Sequence, residues 1–136
     1  MKDDRSRMKQ MGHVFGFEKL EVYGRAKDLI KEVYRLTHSF PAEERYGVAS
    51  QIRRAVLSVA SNIAEGQGRL SRKDQAHFSQ MAYSSLMEVL CQSDVAHELG
   101  YIGKQDFEGM RQIIEILAMK LSALHTSQVD RKDSSS

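Results

Sequence analysis

The sequence contains few residues that break helices or cross-link a chain. Its 136 residues include one proline, one cysteine and no tryptophan. Proline is the strongest helix breaker, so its near absence leaves long helices uninterrupted. The lone Cys91 cannot form an internal disulfide, which is typical of a protein in the reducing cytoplasm.

Long apolar segments and a secretory signal are also absent. No stretch approaches the roughly 20 apolar residues that a membrane-spanning helix requires. Residues 1–13 are mostly polar, unlike the apolar core of a signal peptide. We therefore expect a cytoplasmic protein without a membrane partner, and a chain of this length suits one domain with a single core.

Acidic and basic residues are each scarce in one part of the chain. The net charge of +2 does not by itself indicate a nucleic-acid partner. Residues 45–73 contain six basic residues and one acid, Glu65, whereas residues 88–115 contain six acids and two basic residues. This asymmetry fits complementary packing between helices or subunits, and it equally fits a basic surface that contacts phosphate.

Apolar residues recur at helical spacing in four segments, and no segment shows the alternation of a strand. The predicted helices span approximately residues 20–38, 48–65, 71–99 and 104–125. Pro41 ends the first of them, and Ser71 with Asp74 three residues later is typical of a helix N-terminus. Because short connections make neighbours antiparallel, the sequence predicts an all-α, antiparallel up-down-up-down four-helix bundle.

The two ends of the chain differ from this periodic region. Basic residues with few apolar neighbours predict a flexible basic arm over residues 1–15. The bundle is expected over residues 16–126, and a polar, disordered tail over residues 127–136. The predicted organisation is therefore a single bundle between two unstructured ends.

A polar stripe lies beside the apolar stripe of the second predicted helix. If residues 66–70 form the turn between antiparallel helices, Ser58 lies opposite Ser79. By the same spacing, Arg54 lies opposite Ser84 and one turn from Glu88. Buried polar groups need hydrogen-bond partners. We therefore predict a structural polar network that sets the register of the second and third helices, formed by Arg54, Ser58, Asn62, Glu65, Ser84 and Glu88.

Four basic residues at the margin of this stripe allow a second interpretation. These residues are Arg53, Arg69, Arg72 and Lys73. If their side chains remain accessible in the folded protein, they can bind the phosphates of RNA. The N-terminus of the third helix adds backbone N–H groups and the positive end of a helix dipole beside them. A packing function and a phosphate-binding function both remain open from this pattern.

No catalytic residue, cofactor or metal site is predicted. Asp94 and His97 form a single carboxylate–histidine pair, whereas di-metal bundles use two Glu-x-x-His pairs and two further glutamates. Arg72 and His77 resemble the Arg-x(4–6)-His motif of the HEPN ribonucleases. Lys73, however, stands where that family usually has a small polar residue. We therefore expect a protein that is not an enzyme, with a HEPN-like ribonuclease as a less favoured alternative.

One segment resembles the signature of a known family. The run Ser61-Asn-Ile-Ala-Glu-Gly66, preceded by Gln51-Ile-Arg-Arg-Ala55 and followed by Gly68-Arg69, is similar to the 23S rRNA intervening-sequence proteins. The resemblance extends over residues 17–124, and it departs at Ser84, where the family often has glycine. It implies a four-helix bundle that assembles as a homopentamer and associates with RNA or the ribosome.

Residues and resemblance together predict a non-enzymatic oligomer that binds structured RNA, either ribosomal RNA or ribosome-associated RNA. Its expected partners are further copies of itself and RNA. The basic surface would consist of Arg53, Arg69, Arg72 and Lys73. The main alternative is an adaptor for protein–protein assembly, whose apolar and acidic faces would bind protein.

Overall fold

The computed structural model describes residues 13–130, and this part of the chain contains four α-helices and two short 3-10 turns. The helices are α1 (Glu21–Thr37), α2 (Val48–Gln67), α3 (Arg72–Glu98) and α4 (Lys104–Asp130). The 3-10 turns are Gly16–Lys19 and Ala42–Glu44. No strand occurs within residues 13–130, which confirms the predicted all-α class.

The helix boundaries follow local sequence chemistry. Ser71 Oγ accepts a hydrogen bond from the backbone nitrogen of Asp74 at 3.1 Å, which is the cap predicted for the start of α3. Beyond the end of α3, Gly100 adopts a φ of +82°, a conformation that glycine adopts without steric cost. The backbone nitrogen of Tyr101 donates to the Ala96 carbonyl oxygen at 2.9 Å, and this bond completes a Schellman-type helix end.

One boundary differs from the expectation. Helix α4 continues to Asp130, so residues 127–130, which were expected in a disordered tail, are helical. The rest of that tail, residues 131–136, and residues 1–12 of the expected basic arm lie outside the described residues. Within residues 13–130, no helix combines the length and the hydrophobicity that crossing a bilayer requires.

Each described helix packs against two others, so α1, α2, α3 and α4 follow one another around the core. Between α3 and α4, Ser93 Oγ donates to Met110 Sδ at 3.0 Å, and Ser79 Oγ donates to Gln128 Oε1 at 2.7 Å. Residue numbers therefore fall along α4 as they rise along α3. These contacts are consistent with the antiparallel up-down order that the short connections predict.

Helices α1 and α4 are joined by ion pairs on the surface of the bundle. Arg35 lies 3.1 Å from Asp106, and Lys120 Nζ lies 3.1 Å from Glu21 Oε1. The hydrogen bond from Lys120, followed by that from Arg25, lowers the pKa of Glu21. These side chains are partly solvated, so the pairs contribute little to stability and mainly fix how the first and last helices align.

The core is built from aliphatic residues on the inner face of every helix. At most 1% of the surface of these side chains is exposed at Leu29, Val33, Ile52, Val56, Val59, Leu86, Val89, Ile114, Leu117 and Leu121. Burying each such side chain stabilises the fold by roughly 1.5–3 kcal/mol. Burial of these periodically spaced apolar side chains is thus the main source of the bundle's stability.

One end of the bundle is closed by aromatic packing. Phe40 is buried, and its ring centroid lies 5.4 Å from that of Tyr101 in the turn between α3 and α4. The Tyr101 hydroxyl donates to Glu44 Oε2 at 2.9 Å, and this bond to a carboxylate raises the pKa of Tyr101. The α1–α2 connection is therefore held against the α3–α4 turn.

Candidate nucleic-acid interface

The four basic residues singled out in the sequence lie in two separate regions. Arg53 belongs to the second turn of α2, whereas Arg69, Arg72 and Lys73 lie at the far end of that helix and the start of α3. Roughly 20 Å of helix separates the two positions, at 1.5 Å per residue. We call Arg69, Arg72 and Lys73 the turn region. Arg53 is part of a different site.

The turn region is supported by a close approach of α2 and α3. A Cβ atom added at Gly66 would lie 2.9 Å from Phe78 Cβ and 3.6 Å from the carbonyl oxygen of Gln75. The side-chain nitrogen of Gln75 donates to the Arg69 carbonyl oxygen at 3.0 Å. Glycine at position 66 therefore permits the contact that positions the basic turn.

Arg69 is held on an aromatic ring but remains exposed. Its guanidinium carbon lies 4.5 Å from the centroid of Phe78, a cation–π distance. Its only ion pair within the described residues is with Glu65, at 3.9 Å, and both side chains are about half exposed. Such a solvated pair is weak. The guanidinium can therefore exchange this partner for a phosphate at low cost.

The start of α3 adds positive potential to the turn region. The first N–H groups of a helix have no acceptors within the helix. Of those of Arg72, Lys73 and Asp74 at the start of α3, the Ser71 side chain accepts the Asp74 N–H. Lys73 is exposed, and its ammonium group has no partner within residues 13–130. Arg72 is half-buried. The side chains and the backbone N–H groups of this turn together favour an anion.

Arg53 lines a cavity of about 320 Å³ where α1, the second 3-10 turn and the start of α2 meet. We call it the Arg53 cavity, and its walls are Thr37, His38, Phe40, Pro41, Ala42, Arg45, Ala49 and Arg53. Arg53 Nε donates to Thr37 Oγ1 at 2.8 Å. Its guanidinium carbon lies 4.6 Å from the ring centroid of Tyr34. The side chain is therefore fixed from α1, away from the turn region.

The polar contacts between α2 and α3 centre on Ser58. Ser58 Oγ and Ser85 Oγ are hydrogen-bonded at 2.9 Å, and Asn62 Nδ2 donates to the Ser58 carbonyl oxygen at 2.9 Å and to Ser58 Oγ at 3.1 Å. Asn62 and Ser85 are buried. The expected pairing of Ser58 with Ser79 is wrong, because Ser79 bonds to Gln128 on α4.

The other members predicted for this network do not join it. The side chains of Arg54, Ser84 and Glu88 are exposed and have no hydrogen bond or ion pair within residues 13–130. The Glu65 carboxylate forms its ion pair there with Arg69, at 3.9 Å, and not with α3. Helix α2 extends to Gln67, and four further residues precede α3. The α3 residue that faces Ser58 is Ser85, six positions farther along the helix than the expected Ser79. One helical position is a rotation of about 100°, which points Ser85 inward and Ser84 outward.

Some residues near these sites were not identified from the sequence. His38 and Arg45 line the Arg53 cavity. Tyr46, which follows Arg45 in the chain, is 87% exposed. Their only signal was the position of basic and aromatic residues around the Pro41–Gly47 connection. The positions of His38 and Arg45 indicate a site only in the folded chain, where α1 and α2 bring these residues to one cavity.

His77 and His97, the two histidines considered in the sequence, each lie against an aromatic ring. Within residues 13–130, no three histidine, cysteine, aspartate or glutamate side chains are grouped to hold a metal. His97 Nδ1 lies 2.8 Å from the Ile102 carbonyl oxygen, to which it donates, and its ring stacks on Phe107 at 4.8 Å. His77 is exposed, with its ring edge against Phe78 at 5.7 Å. His97 thus stabilises the α3–α4 turn.

The chain is similar to known proteins in sequence pattern and in fold. Residues 18–123 match the family described as 23S rRNA-intervening sequence protein. The fold is similar to a crystal structure from Bacteroides thetaiotaomicron of a protein of unknown function in the S23 ribosomal protein family, with a TM-score of 0.71 and 17% sequence identity. The alignment covers 76% of this chain and 97% of that one. No curated protein matches the chain.

Proposed function

Because the chain belongs to the 23S rRNA-intervening sequence protein family, we propose that it binds structured RNA, ribosomal RNA in particular, and does so in the cytoplasm without catalysis. The observation that supports this most directly is the turn region. Residues 69–73 contain three basic residues and no acid, at an exposed end of the bundle. Such a cluster has the charge and the accessibility that phosphate contacts require.

The geometry of the turn region favours contacts to the RNA backbone. The Phe78 ring orients the Arg69 guanidinium, so less side-chain entropy is lost when it binds a phosphate. Lys73 adds a flexible point charge. Contacts to phosphate carry no sequence information, so binding through these two groups should depend on salt and on RNA shape more than on sequence.

Self-assembly is part of the same proposal, with a homopentamer as the expected form. Several large apolar side chains are exposed on the monomer, among them Leu57, Val95 and Leu99. Covering such side chains is a common reason for association. A ring of copies would also present several turn regions to one RNA and so increase its affinity.

The proposal predicts a measurable loss of RNA affinity when the turn region is neutralised. The triple variant Arg69→Gln, Arg72→Gln, Lys73→Gln removes about three phosphate contacts per chain. The negative slope of log affinity against log salt concentration should become shallower by roughly 2–3, because each phosphate contact contributes about 0.7–0.9 to it. Filter binding or fluorescence anisotropy with a structured rRNA fragment, measured over a range of salt concentrations, gives this slope.

A matched control separates a site from general charge attraction. The variant Lys19→Gln, Lys104→Gln, Arg111→Gln loses the same charge at exposed positions outside the turn region and should bind RNA nearly as well as the unmodified chain. Equal weakening by both variants, or no binding at low salt, would contradict the proposal. If the unmodified chain cleaves RNA and the variant His77→Ala does not, a ribonuclease function would replace the proposed non-catalytic RNA binding.

A further inference from the structure

The walls of the Arg53 cavity have the composition of an anion site. His38, Arg45 and Arg53 supply cationic or N–H donor groups, and none of the lining residues is an aspartate or a glutamate. Glu44, which precedes Arg45, does not line the cavity, and its Oε2 accepts the Tyr101 hydroxyl at 2.9 Å. An anion in the cavity would therefore meet donors without a carboxylate in the wall to compete with it.

Arg53 is oriented before any ligand binds. Thr37 Oγ1 donates its proton to the Val33 carbonyl oxygen at 2.7 Å, which leaves an oxygen lone pair to accept from Arg53 Nε at 2.8 Å. The Tyr34 ring covers one face of the guanidinium. Within residues 13–130 the two terminal nitrogens of Arg53 have no hydrogen-bond partner. A fixed fork of free N–H donors binds a tetrahedral oxyanion with little further loss of entropy.

The size of the cavity limits the ligand. Ligand cavities in proteins usually measure about 300–1,000 Å³. At about 320 Å³, the Arg53 cavity suits a phosphate with its attached sugar and not an extended ligand. A terminal phosphate continues as chain on one side only and therefore enters a small concave site more readily than an internal phosphodiester, which continues on both sides. The shape therefore favours a phosphate at the end of a molecule.

The charge of the cavity agrees with that class of ligand. A phosphate monoester carries about −1.5 to −2 charges at pH 7 and has three acceptor oxygens, more than a diester. Arg45 and Arg53 together can neutralise such a dianion. We infer that the Arg53 cavity binds a terminal phosphate monoester, on the end of an RNA or on a free nucleotide.

For an RNA ligand the inference rests on the proposed function, and one experiment separates the two. The same short RNA, labelled at its 3′ end, is prepared with a 5′-phosphate and with a 5′-hydroxyl, and anisotropy with the full chain gives both affinities. We expect the phosphorylated RNA to bind about tenfold more tightly, through charge-assisted hydrogen bonds. If the 5′-hydroxyl RNA binds equally well, the terminal-phosphate site on RNA is rejected while RNA binding itself stands.

Three variants test whether the preference for phosphorylated RNA arises at the Arg53 cavity. Arg53→Gln should abolish the preference for the phosphorylated RNA, and Arg45→Gln should reduce it. Arg54→Gln changes the next residue, which is exposed and outside the cavity, and should leave the preference intact. Circular dichroism confirms that each variant is folded. A preference that survives Arg53→Gln would overturn the assignment to this cavity.

A comparison of adenosine monophosphate with adenosine tests whether the cavity binds the phosphate of a free nucleotide, the second possible source of the ligand. Chemical-shift changes that saturate with the monophosphate, are absent with adenosine and disappear in Arg53→Gln would support a free nucleotide as ligand, whatever the RNA measurement shows. No response to adenosine monophosphate, together with equal affinity for the two RNAs, would overturn the inference altogether.

Discussion

Ser84 and Ser85 are consecutive residues of α3 with opposite surroundings. Ser85 is buried and hydrogen-bonded to Ser58 Oγ at 2.9 Å, whereas Ser84 is exposed and its hydroxyl has no partner within the described residues. Asn62 donates to Ser58 from the same helix, so three polar side chains satisfy one another inside an otherwise apolar contact. This small network gives α2 and α3 one preferred register.

Alanine substitutions at the two serines should therefore have different effects. Both changes gain the same helix propensity, so their difference isolates the hydrogen bond. We expect Ser85→Ala to lower the free energy of unfolding by about 1 kcal/mol relative to Ser84→Ala. Urea denaturation measures both values, and a double-mutant cycle with Ser58→Ala assigns the loss to the pair. Equal stability of the two variants would contradict this description of the network.

The contact between α2 and α3 depends on small residues where the two helices meet. At Gly66 there is no space for a side chain, because an added Cβ would lie 2.9 Å from Phe78 Cβ. Phe78 in turn carries the Arg69 guanidinium on its ring, at 4.5 Å. The approach of the two helices and the position of the basic turn are thus coupled through one aromatic residue.

A glycine-to-alanine comparison tests this coupling. Gly66→Ala should reduce the free energy of unfolding by about 1–3 kcal/mol, the usual cost of overpacking. Gly24→Ala on α1 is the matched control, because nothing lies within 4 Å of its added Cβ. It should stabilise the chain by roughly 0.5–1 kcal/mol through helix propensity. Thermal or urea unfolding gives both values, and stabilisation by Gly66→Ala would show that the helices can separate without cost.

The monomer leaves an apolar groove open between α1 and α2. The groove measures about 500 Å³, and Phe17, Tyr23, Ile30 and Leu57 are among the residues that line it. Leu57 is 44% exposed at the rim. Residues of this kind are usually covered in the functional state of a protein. The groove is therefore the surface that we expect a second copy of the chain to cover in the proposed oligomer.

Native mass spectrometry of the full chain tests this assembly. We expect a species of about five chains, as proposed, and dissociation toward the single chain in Leu57→Lys, because burying an unpaired charge in an apolar contact is costly. Met119→Lys adds the same charge at a 73% exposed position on α4, outside the groove, and should leave the oligomer intact. A single chain at all concentrations, or an oligomer unaffected by Leu57→Lys, would contradict the proposal.

Helix positions could be predicted because their causes are local. Apolar spacing, the Ser71 cap and the glycines after α3 act within a few residues, and the observed helix starts differ from those expected by at most one residue. The end of α4 was placed five residues too early, at His125, because no proline or glycine marks where that helix stops. Local chemistry was therefore sufficient for the all-α class and for the basic turn.

The register of α2 against α3 was not predictable in the same way. It depends on how far each helix runs past the turn, and a rotation of about 100° per residue converts a small error in length into a different buried face. Only the packed structure therefore assigned Ser85, and not Ser84, to the polar contact. It also brought Arg53, Arg45 and His38 together in one cavity. Residues distant in sequence meet according to packing, which no local pattern encodes.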